Sequence, residues 1–217
     1  MKFPSAFDGV KKIYTAEILS LIVSVLVGLA AILGLAGAVA AEAGSDGGAL
    51  ASFGGLAVLG LAASVLGIIS FIMKLVGINR AKLDEGEFQK AFLYVILGIV
   101  LSFVSGFFNK KPLIASIVDI VSSVLKLLVT LYIISGIINL ANRLNDRGMA
   151  ESGRNTLKLY LCAAVLAIIV DLVSTITLGK GLQEIYNILG IVAAVLSIVS
   201  YIVYLRYLSK AKYMLAQ

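Results

Sequence analysis

The chain has 217 residues, 60% of them hydrophobic and only 14% charged, with 18 Lys and Arg against 12 Asp and Glu. Its mean hydropathy is +1.05. A soluble domain of this size carries about a quarter charged residues, and one small core could not bury so much apolar surface, so a water-soluble globule is excluded and an integral membrane protein expected.

Residues 1–15 form a cytoplasmic segment. Within it Phe3, Phe7, Val10 and Tyr14 recur at helical spacing, opposite Ser5, Asp8, Lys11 and Lys12. That pattern suits an amphipathic helix lying on the membrane face. Pro4 and Gly9 weaken it, so a frayed basic leader stands as the alternative.

The transmembrane domain covers 16–208. Uncharged runs at 18–41, 47–73, 91–109 and 185–205, each long enough to cross the bilayer, and two longer runs interrupted by charges place spans at about 16–41, 50–76, 90–109, 113–142, 158–178 and 185–207. The fourth is accepted with Asp119 and Lys126 inside it, the fifth with Asp171. "AVA" at 38–40 resembles a signal-peptide cleavage site, but the apolar stretch before it exceeds the ~7–15 residues of such a signal, so a retained helix is expected. Long continuous runs do not read as barrel strands.

Between the second and third spans, Asp84 with Glu87 three residues on reads as a capping box. "NDRGMAESGRN", after the fourth span, reads as a polar turn. Cys162 stands alone in the fifth span and reads as a buried, inert thiol. Residues 209–217 are a basic cytoplasmic tail. With six spans, 14 of the 18 bases fall on one side, in the N-terminal segment, the second and fourth loops and the C-terminal end. By the positive-inside rule both termini are cytoplasmic, in a cell membrane of the prokaryotic plasma-membrane type.

Residues 59–82 match 189–212 without gaps at 11 of 24 positions, and both stretches end in Ala-Lys. The odd-numbered spans open alike, with Lys12 and Tyr14, Lys90 and Phe92, Lys158 and Tyr160. These patterns predict an all-α, polytopic fold of six transmembrane helices arranged as three tandem parallel hairpins, at about 12–82, 90–143 and 158–212. Mitochondrial carriers share a three-hairpin plan but need a Pro, an acid and a base at each odd-helix end. Pro4 and Pro112 are the only prolines, so that family is excluded.

Two sets of residues are candidate sites. Gly60, Ala63, Ser64 and Gly67 form one small-residue stripe, and Ala30, Gly34 and Ala38 another. Such stripes pack helices closely, either within the first hairpin or between copies. Asp119, Lys126 and Asp171 form a polar layer in the outer half of the membrane, with Lys110, Lys111, Lys180 and Glu184 above it. Lys126, 17 residues before Arg143, stands about 25 Å from the cytoplasmic boundary. The layer is either a ligand-binding vestibule or a charge pair that fixes helix register.

The absence of His excludes imidazole metal sites and His-based triads. No nucleophile–base pair, cofactor motif or metal-ligand spacing is evident, so no catalytic, cofactor or metal residue is assigned. The expected partners are the lipid bilayer and another membrane protein or a second copy, not nucleic acid. The expected role is a non-enzymatic scaffold or accessory subunit acting through helix packing. The alternative is a transporter or channel for a small ion or solute that uses the outer-half charges.

Overall fold

The computed structural model describes the backbone of residues 2–42, 46–108, 112–177 and 183–216, and the side chains of 2–39, 55–103, 117–170 and 188–216. Among the described residues the regular elements are six α-helices: α1 (Pro4–Glu42), α2 (Asp46–Ala81), α3 (Gly86–Phe108), α4 (Pro112–Arg143), α5 (Arg147–Thr177) and α6 (Gln183–Leu215). Each contains a stretch long and apolar enough to cross a membrane.

The outer surface is hydrocarbon. Leu35, Val58, Leu61, Ile68, Phe103 and Ile191 are each more than three-fifths exposed. In water so much contiguous apolar surface would drive association, whereas lipid tails solvate it without cost. Six such helices suggest a multi-pass membrane protein.

The helix ends follow local chemistry. Asp146 Oδ1 accepts a hydrogen bond from Met149 N–H at 2.9 Å, capping α5. Asn145 turns the chain at φ 59°, a left-handed conformation that Asn tolerates better than most residues. The bend is thus confined to residues 144–146, and most of the polar stretch expected as a turn is helix.

By its contacts the chain divides into two compact units, one of residues 11–76 and one of residues 1–10 with 77–217. In the first, α1 and α2 run antiparallel. Gly34 lies beside Leu56, Ser20 meets Ser70, and Glu17 meets Lys74. The buried seam is narrow: Ala16, Glu17, Ala63 and Ser70 are covered, while their apolar neighbours face outward. Seven residues separate Ala63 from Ser70, the spacing of a two-helix seam.

In the second unit α4 packs against α3 on one side and α5 on the other, and α5 packs against α6. The C-terminal half of α4 is buried nearly all round, through Ile133, Ile134, Ile137, Leu140 and Ala141. Gly136 makes room for Phe88, whose ring would stand 2.7 Å from a Cβ there. Residues 1–15 do not form a separate helix. α1 begins at Pro4 and runs on without a break, with Ala6 and Val10 fully buried. Gly9 permits this, since a Cβ would lie 2.6 Å from the Gly77 carbonyl oxygen and 2.7 Å from the Ala81 Cβ.

Candidate functional site

Asp119 and Lys126 are both on α4 and both exposed, two helical turns apart on one face. Among the described residues neither side chain makes an ion pair or hydrogen bond. The Asp171 side chain lies outside the described residues, as do those of Lys110, Lys111, Lys180 and Glu184. The two described charges thus project from the outer surface of α4, where a spanning segment would meet lipid or a partner.

An ion pair within the α1–α2 unit was not legible as a pair in the sequence. The Glu17 carboxylate is 6% exposed and its Oε1 lies 2.6 Å from Lys74 Nζ. One turn along, the Ser70 hydroxyl donates to the Ala16 carbonyl at 2.8 Å and lies 2.7 Å from the Ser20 hydroxyl. Glu17 and Ser20 are three apart on α1, and Ser70 and Lys74 four apart on α2, so each helix presents its polar pair on a single face. The result is a polar clamp with opposite charges at one end and hydroxyls at the other. In low dielectric such a pair sets register, because sliding either helix by a residue leaves a buried carboxylate without its cation.

A second polar knot joins three chain segments near the α2–α3 turn. Asp84 Oδ2 accepts from Ala6 N–H at 2.7 Å, so this acid caps the start of α1. Asn139 Nδ2 donates to Glu85 Oε1 at 3.1 Å. Arg143 Nη2 stands 2.9 Å from Glu85 Oε2, an ion-pair distance without hydrogen-bond alignment, and Arg143 Nη1 donates to the Asp84 carbonyl. Arg80 pairs with Asp8 at 2.7 Å. The capping box expected from Asp84 and Glu87 is not formed, because Glu87 instead pairs with Lys90 at 2.8 Å. Long-range partners outcompete the local motif here.

On the stripe of α2, Ala63 is buried, while Gly60 and Ser64 are exposed and Gly67 is partly covered. A Cβ at Gly60 or Gly67 would meet nothing within 4 Å. The Ser64 hydroxyl folds back onto the Gly60 carbonyl at 2.8 Å. The stripe is therefore only partly used inside the chain. Cys162, expected to be buried, is exposed on α5. Its helix is apolar on its outer face as well, so an apolar thiol there needs no protein cover.

Among the described residues no group of three Cys, Asp or Glu side chains is placed to hold a metal ion. Comparison with protein-family models, with curated proteins and with solved structures finds no match to this chain.

Proposed function

We propose that this is a multi-pass membrane protein of three tandem hairpins that works without catalysis, as a scaffold or accessory subunit. Both termini face the cytoplasm on this reading. The carrying observation is the placement of Asp119 and Lys126 on the exposed face of α4. A charged side chain costs about 2.5–3.5 kcal/mol at mid-membrane on insertion scales and less toward the interface, so an outer-half helix surface that carries two is suited to being covered by polar groups of a neighbouring protein. The open Gly60 and Gly67 positions provide a second surface for close helix approach.

Burial supports the repeat. Residues 59–82 and 189–212 share the same degree of burial at 18 of 24 positions. Ala63 and Ala193, Ser70 and Ser200, Ile78 and Leu208, and Ala81 and Ala211 are buried in both copies. Transport of a small ion or solute is the second reading. It draws on the Glu17–Lys74 pair and the adjacent Ser20 and Ser70 hydroxyls, a polar line between apolar helices.

The test is a photoreactive amino acid placed at 119, 122 or 126 in native membranes. Protein adducts at 119 and 126, lost on Asp119→Leu/Lys126→Leu substitution with the probe at 122, are expected. Lipid adducts alone at all three positions would refute assembly through α4.

A further inference from the structure

The α5–α6 pair carries a groove of about 370 Å³ at the start of α5. Its lining changes character along its length. Leu159 and Val203 form one end, and Thr156, Asn155, Ser152 and Glu151 continue it toward the first turn of α5. Tyr160 meets Tyr204 at 5.8 Å and Gly153 lies under Tyr207, which sets Arg206 level with Thr156 and Lys210 level with Ser152. Val203, Arg206 and Lys210 share one face of α6, at i, i+3 and i+7, and both bases are exposed. The groove is thus apolar at one end, hydroxyl- and amide-lined in the middle with a base beside it, and acidic at the far end.

On the membrane reading of the preceding section, on which this inference rests, Lys158 marks the cytoplasmic boundary. Leu159 and Val203 then lie at the edge of the hydrocarbon. By helix rise Asn155 stands about 6 Å below Leu159 and Glu151 about 12 Å below it, spanning and passing the headgroup layer. We infer that this groove binds a phospholipid whose headgroup carries a primary amine, as in phosphatidylethanolamine. The acyl chains leave past Leu159 and Val203. The phosphate sits between Arg206 and the Asn155 amide, where a guanidinium and N–H donors match its oxygens. The ammonium ends at Glu151, which makes no ion pair among the described residues although Arg147 and Arg154 lie one turn away on the same side of α5.

Charge complementarity selects this class over the alternatives. Phosphatidylglycerol would place the same phosphate at Arg206 but end in an uncharged glycerol, which brings no cation to Glu151. A choline headgroup has the right charges but no N–H to donate to the carboxylate.

The test uses the full chain in mild detergent, offered equal amounts of phosphatidylethanolamine, phosphatidylglycerol and phosphatidylcholine of identical acyl chains, with bound lipid read by native mass spectrometry. Retention of phosphatidylethanolamine about two- to fivefold over the other two is expected, the worth of one exposed ion pair. Glu151→Lys should invert the preference toward phosphatidylglycerol, a gain that misfolding cannot imitate. Arg206→Gln should lower retention of all three. Equal retention of phosphatidylglycerol by the natural chain, or a phosphatidylethanolamine preference that survives Glu151→Lys, would overturn the proposal while the membrane reading stood. A chain that stays in the aqueous supernatant without detergent would overturn both.

Discussion

Removing the Glu17 carboxylate isolates Lys74 in a seam that offers it no other acid among the described ion pairs. The expected cost of Glu17→Ala is about 3 kcal/mol, the lower end of the range for a broken buried pair, because Lys74 retains 28% exposure and can turn toward polar surroundings. Lys74→Tyr removes the cation from a carboxylate that is only 6% exposed and should cost a similar amount. Aligning Lys12 with Lys158 and residues 59–82 with 189–212 places Ala163 opposite Glu17 and Tyr204 opposite Lys74. The α5–α6 pair thus has uncharged residues at both matched positions, and both are buried. Glu17→Ala/Lys74→Tyr should therefore cost only about 1 kcal/mol, so that two single losses of about 3 kcal/mol each give a coupling of about 5 kcal/mol. Reversible unfolding of the full chain in mixed detergent micelles, followed by helicity, measures all four corners of the cycle. Strictly additive single effects would mean that the 2.6 Å contact carries no net energy and that the clamp does not set register.

Gly136→Leu should destabilise by about 1–3 kcal/mol through collision with the Phe88 ring, and Phe88→Ala should relieve part of that loss; the same unfolding measurement reads both. Asn145→Gly should be neutral or stabilising, whereas Asn145→Val should cost about 1–3 kcal/mol, because only the first tolerates φ 59° without strain; thermal unfolding separates them. Cys162 should react in membranes with a lipid-soluble maleimide and resist a charged, impermeant one added to either face, and rapid labelling by the impermeant reagent would place that part of α5 in water.

Element type and number were legible because they rest on runs of residues rather than on partners. Four runs of nineteen or more uncharged residues, and two long runs interrupted only by Asp119, Lys126 and Asp171, read as helix, because in hydrocarbon a helix satisfies every backbone polar group within its own segment. Helix ends were legible where one side chain decides them, and Asp146 ends its loop by capping α5. They were misread where a distant group competes. Asp84 and Glu87 have capping-box spacing, but the Ala6 amide and the Lys90 ammonium take their carboxylates instead. Nothing in the local pattern ranks those partners.

The clamp was missed for a related reason. Uncharged runs define spans by stopping at charges, so Glu17 and Lys74 became boundaries, and a boundary residue is read as solvated. Yet helices that cross a bilayer extend past its hydrocarbon and pack there too, and α1 and α2 continue well beyond both residues. A charge at a span's edge is therefore ambiguous between water and a neighbouring helix. On the proposed repeat, its counterpart breaks the tie. Glu17 answers to Ala163 and Lys74 to Tyr204, so acid and base are both present in one hairpin and both absent in the other. Two unrelated surface charges have no cause to be exchanged together, whereas a buried pair must be, since either charge alone in the seam is the costly state.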